Sequence, residues 1–205
     1  MSKWPTVPLG EVLRQVVDSH PVHADKAYPN FGIYGFGRGL FTKPSISGAT
    51  TSAKSLYRAR QGQFIYSRLF AFEGAYGFVT SEFDGCFVSN EYPMFECDQD
   101  RLYPEYLATY FKAPKAWEEV SHLSTGMGDR RRRIQPEQLL THQIPLPTLD
   151  EQHRLVEQVG HLSTMIEEAK TLRLKADAEY GAQGFEGGVM YSLSSSPVAL
   201  QWRRA

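Results

Sequence analysis

Cysteine is scarce: Cys86 and Cys97 are the only two in 205 residues. They form no CxxC pair, so neither a disulfide framework nor a four-cysteine zinc site can be built from them. Both read as small apolar residues. Long apolar runs are missing too. None approaches the about 18 residues of a membrane span, and "MSKWPTVPLG" lacks the apolar centre of a secretory signal. These absences predict a cytoplasmic protein that makes no membrane contact. Net charge is almost absent, at −1, which excludes a nucleic-acid binder held by bulk charge alone. The six histidines are scattered, and His20 and His23 could share a metal only with distant help. No metal and no cofactor is expected.

Catalytic patterns fail as well. "GIYGFGRGLF" places Gly35, Gly37 and Gly39 as G-x-G-x-G, but a dinucleotide loop needs a third glycine at position 40, which is Leu40. No G-x-x-x-x-G-K-[ST] occurs. The Asn/Asp-Pro-Pro-aromatic tetrapeptide of amino methyltransferases is absent. Glu168-x-Lys170 resembles half of a nuclease motif, yet it falls within helical periodicity and reads as a solvated face. Glu96, Asp98 and Asp100 read as an exposed acidic alternation. No Ser/His/Asp or Cys/His grouping is visible, so the chain is expected to be no enzyme.

The charge that is present is unevenly placed. Residues 34–80 carry Arg38, Lys43, Lys54, Arg58, Arg60 and Arg68 against Glu73 alone. Residues 81–105 carry seven acids against Arg101 alone. Then Arg130, Arg131, Arg132 and Arg133 stand in a row. A neutral chain can therefore present a basic face.

Apolar spacing supplies the elements. Leu9, Val12, Leu13, Val16 and Val17 recur at 3, 1, 3, 1, which predicts a short N-terminal helix. Residues 21–55 are rich in Gly, Pro, Ser and Thr and predict loops with short strands. "GQFIYSRL", "YGFVTSEF" and "CFVSNEYPMFEC" read as strands, the last as a pair with Pro93 at an edge or bulge. "PEYLATYFKAP" reads as a helix opened by Pro104 and ended or kinked at Pro114. Thr148 and Glu151 form a capping-box pattern. Beyond them Leu155, Val159, Leu162, Ile166 and Ala169 are spaced 4, 3, 4, 3, resumed by Ala176 and Tyr180. A helix over 149–181 would run roughly 48 Å, longer than a small domain needs, so its seam predicts a partner helix. The fold class is α+β: a mixed α/β globular domain over 1–147, a long coiled-coil-forming helix over 148–182 and a flexible tail over 183–205.

"WPTVPLGEV", "GQFIYSR", "GAYGFVTSEFDGCFVS", "LYPEYLATYF" and, most of all, "QIPLPTLDEQHRLVEQV" resemble the specificity subunit of type I restriction–modification enzymes. The likeness spans Trp4 to Leu174 and covers one target-recognition domain with its spacer helix. Members of the family usually carry two such units, whose helices pack antiparallel. The resemblance implies a non-catalytic subunit that reads half of a split site in double-stranded DNA. It also implies methyltransferase and restriction (nuclease/translocase) subunits as partners. A single unit implies a homodimer, or a piece of a larger chain. On this reading Arg38, Lys43, Lys54, Arg58, Arg68 and Arg130 to Arg133 face DNA, through phosphates or guanine edges. Pro145, Pro147, Glu151, Gln152 and the seam from Leu155 to Ala169 pair with another helix or dock the methyltransferase. A stand-alone DNA-binding regulator, or the recognition domain of a larger restriction–methylation enzyme, is the alternative.

Overall fold

The computed structural model describes residues 4–123 and 133–183, with side chains as far as 178. The chain opens with strand β1 (Thr6–Pro8), a single 3-10 turn (Leu9–Glu11) and strand β2 (Leu13–Val16). The helix predicted across this stretch is therefore absent. Leu9, Val12 and Leu13 are buried as their spacing required, but a short apolar period fits either element. Gly10 weakens a helix, and Val16 and Val17 favour a pleated backbone. The ladder offered by a later strand decides the outcome.

Strands β3 (Ser19–Pro21), β4 (Ala27–Ile33), β5 (Leu40–Ser47), β6 (Ser55–Arg58), β7 (Phe64–Tyr66), β8 (Tyr76–Phe78), β9 (Phe87–Val88) and β10 (Met94–Cys97) follow. The region read as loops with short strands thus holds the two longest strands, β4 and β5, of seven and eight residues. One sheet runs β2-β10-β7-β8 and the other β3-β6-β9-β4-β5. "CFVSNEYPMFEC" does supply two strands, but β9 and β10 belong to different sheets. Among the described strands, pairing is antiparallel except for β4 with β9.

Strand β7 explains why the domain has two cores. Its alternating residues face opposite ways. Phe64 and Tyr66 join one cluster with Tyr76, Phe95, Phe111 and Trp117. Ile65 joins the other, with Phe31, Val79, Phe83, Val88 and Met94. The first cluster is closed by helices α1 (Pro104–Tyr110), α2 (Pro114–Ser121) and α3 (Pro136–Leu140). Each starts on a proline, whose missing N–H costs nothing at a first turn. Pro114 therefore opens a second helix, and the first has already ended four residues earlier, at Tyr110.

Strand β11 (Gln143–Pro145) returns to pair with β1, Val7 opposite Ile144. The Leu146 N–H adds a bond to the Pro5 carbonyl at 2.8 Å. Helix α4 (Leu149–Gln183) begins four residues later. The chain divides into a unit over Met1–Gly160 and a second over His161–Ala205. In the first, Leu155 and Val156 pack on the larger core. In the second, residues 161–183 are helical, and every side chain described is exposed. The tail expected from 183 lies beyond the described residues except for Gln183 itself. Among the described residues no helix is long and apolar enough to cross a membrane.

Candidate nucleic-acid interface

The glycine-rich stretch that failed as a nucleotide loop is the tip of the β4–β5 hairpin. The Tyr34 N–H bonds to the Gly39 carbonyl at 2.8 Å and closes it. Phe36 and Gly37 both hold positive φ, 62° and 65°. Their N–H groups donate to the Glu73 and Gly74 carbonyls at 2.6 and 2.9 Å. Glycine is required at 74, where a Cβ would lie 2.4 Å from the Trp117 ring. It is required at 37 as well, where a Cβ would lie 2.9 Å from the Lys112 Cα. Arg38 folds back over this tip. Its Nε donates to the Gly35 carbonyl at 3.1 Å, and the guanidinium sits 4.8 Å from the Tyr34 ring centre.

The remaining predicted cations fall into two groups. Lys43, on β5, and Lys54, before β6, are exposed. No described carboxylate lies within salt-bridge distance of either, nor of Arg38 or Arg68. Arg68 lines a cleft of about 190 Å³ with Val17, Tyr57, Asn90 and Tyr92. One guanidinium nitrogen donates to the Asn90 carbonyl at 3.3 Å, while the buried Nε has no partner among the described residues. Arg58 and Arg133 differ from these. The Arg58 Nε donates to Asp18 at 2.9 Å, and His20 reaches the same carboxylate at 2.9 Å. The Arg58 guanidinium holds the Asp18 carboxyl below the usual carboxylate range, with burial working against it and His20 adding to it. Arg133 sits 3.3 Å from Glu91. Arg130, Arg131 and Arg132 lie outside the described residues.

Nothing in the sequence marks Asp18 as the partner of Arg58. The two lie forty positions apart. Only the crossing of β3 with β6 brings them together.

The residues read as a docking surface also separate. Gln152 is fully buried. Its carbonyl accepts the Tyr103 N–H at 2.8 Å, and its amide donates to the Arg101 and Pro147 carbonyls, both at 2.9 Å. It is an internal clamp with no atom to offer a partner. The Pro145 carbonyl is taken by the Tyr106 hydroxyl at 2.8 Å, and burial pushes that phenol up to about 12. Glu151 pairs with Arg154 at 2.7 Å. Leu155 serves the domain core. Val159, Leu162 and Ile166 are 39%, 56% and 54% exposed, and Met165 is 51% exposed. Ala169 is exposed too. The seam thus has a used beginning and an uncovered continuation.

No protein-family model matches the chain, and no curated protein matches it. Solved structures do. The HsdS subunit of Thermoanaerobacter tengcongensis superposes with a TM-score of 0.74 and 19% identity, over 89% of this chain and 48% of that one. This chain has the specificity-subunit fold. A chain from a type I R-M system, solved for its assembly and conformational transition, matches with TM-score 0.64 and 19% identity. That match covers 86% of this chain and 46% of the other. The type I restriction–modification S subunit of M. genitalium matches with TM-score 0.51 and 12% identity, over 83% and 41%. The chain spans about half the length of the structures it matches.

Proposed function

We propose that this chain is a non-catalytic specificity subunit, one recognition domain with its spacer helix, that binds double-stranded DNA at half of a split site. The observation that carries the reading is the specificity-subunit fold over 89% of the chain, coupled to a set of unpaired cations. Arg38, Lys43, Lys54 and Arg68 have no described carboxylate within salt-bridge distance, and Arg130, Arg131 and Arg132 add charge on the same reading, whereas Arg133 is paired with Glu91. Free cations release counterions from phosphates, whereas paired ones first have to give up their acid.

The partners follow from the same fold. Helix α4 would pair with a second copy of itself along Leu162, Met165, Ile166 and Ala169, and the assembly would hold methyltransferase and restriction subunits over the DNA. Two copies related by a two-fold axis would read an interrupted palindrome.

Selection of duplexes from a randomised pool, at low and at moderate salt, tests this. Enrichment of a two-part palindrome with a fixed spacer is the expected result. Binding without enrichment would reduce the protein to a general DNA binder. A stand-alone regulator would enrich a site equally well but would fail to retain a methyltransferase subunit in co-purification.

A further inference from the structure

We propose that Phe36 is a wedge that enters the base stack of duplex DNA and kinks it. This rests on the DNA-binding reading above and assigns a physical step to one residue within it.

The first observation is backbone conformation. Phe36 is the only non-glycine at positive φ among the described residues. A bulky side chain is an outlier there, whereas glycine or asparagine takes the position at little cost. Gly35, Gly37 and Gly39 surround it, so glycine is the ordinary residue of this tip. The fold needs the backbone shape at 36 and has no need of a ring.

The second is exposure. Phe36 remains 64% exposed, its ring meeting Trp117 edge-on at 6.0 Å between centres and lying 5.9 Å from the Arg38 guanidinium. Tyr34 beside it is 41% exposed. A single exposed apolar residue is unremarkable. One held out on a strained backbone calls for an occupant.

The third is stiffness. Three backbone hydrogen bonds fix the tip: Tyr34 to Gly39, Phe36 to Glu73 and Gly37 to Gly74. A side chain that parts stacked bases must not fold away under load, and this seat prevents that.

Charge selects the occupant. Arg38 shares the tip, and the exposed Lys112 lies against Gly37. Neither has a carboxylate within salt-bridge distance among the described residues. An apolar wedge beside cations matches the side chains that open a base step while neighbouring phosphates are held.

The test uses the full chain and a duplex that it selects, labelled at both ends for energy transfer. Wild type should bend the duplex by about 20–90°. Phe36→Gly should leave it straight, weaken binding by about 5- to 150-fold and keep the salt slope, because the ring neutralises no phosphate. Its thermal midpoint should be unchanged or about 2–4 °C higher, since strain is relieved. Phe36→Leu, still an apolar wedge, should restore the bend. A straight wild-type complex would overturn the inference, as would a Phe36→Gly complex that bends and binds like wild type; the DNA-binding reading would survive either. A Phe36→Gly protein that still bends DNA but loses a methyltransferase subunit would assign the ring to a protein contact. If wild type selects no duplex, both readings fall.

Discussion

Replacing Gln152 by leucine removes three hydrogen bonds at a fully buried position while nearly keeping the volume. The Tyr103 N–H and the Arg101 and Pro147 carbonyls would be left facing an apolar group. Each unsatisfied buried group costs about 1–3 kcal/mol. The carbonyls sit at the low end, because a second lone pair is available, and leucine returns some apolar burial. The net loss should be about 3–4 kcal/mol, from a total of about 5–15. At roughly 2–4 °C per kcal/mol for a chain of this size, the thermal midpoint should drop by about 6–16 °C. Gln152→Glu should do no better, since it aims a carboxylate oxygen at two carbonyls. Calorimetry or circular dichroism reads the shift directly. A Gln152→Leu protein that melts within about 2 °C of wild type, yet no longer holds a methyltransferase subunit, would refute the clamp and restore the residue to a docking surface.

Burial lowers the pKa of His142, with Glu119 partly opposing, and Tyr110 shares its hydrogen bond at 2.8 Å. An unfolded histidine titrates near 6.5, so stability should be full above that pH and fall as pH drops towards the lowered folded value. Urea midpoints at pH 7.5 and 5.5 read this, and His142→Gln should flatten the difference. Gly74→Ala places a Cβ 2.4 Å from Trp117 at a φ of 76°, so it should destabilise by about 2–5 kcal/mol and loosen the hairpin tip, seen as faster amide exchange at Phe36 and Gly37. Leu162→Glu with Ile166→Glu puts charge on two exposed seam positions. On the self-pairing proposal light scattering should show a dimer for wild type and a monomer for this variant, with the melting of the recognition domain unchanged; a wild-type monomer would end that proposal.

Much of the architecture was legible where one local rule dominated. Pro104 opened a helix because a first turn is where proline is best tolerated; Pro114, read only as an end or kink, opens α2 for the same reason. The regular period after Thr148 became α4. The N-terminal stretch was misread because Leu9 to Val17 satisfies helical spacing, and only pairing with β10 makes it a strand. Strands β4 and β5 were under-read because their turn-forming residues hid a long ladder of cross-strand bonds.

Charge shows most clearly what linear reading misses. Basic and acidic segments are separate along the chain, yet the fold brings several of them together. Glu96 meets Arg14, Glu91 meets Arg133, and Asp18 meets Arg58. Counting arginines in sequence therefore overstates the free positive charge. What survives among the predicted and described cations is the set Arg38, Lys43, Lys54 and Arg68. Asp18→Asn would separate the two kinds of site. It leaves Arg58 hydrogen-bonded but no longer neutralised, so affinity for duplex DNA should rise and the salt slope should steepen by up to about one counterion. An unchanged slope would place Arg58 away from the phosphates and leave Arg38, Lys43, Lys54 and Arg68 as the predicted cations, among the described residues, that remain candidates for phosphate contact.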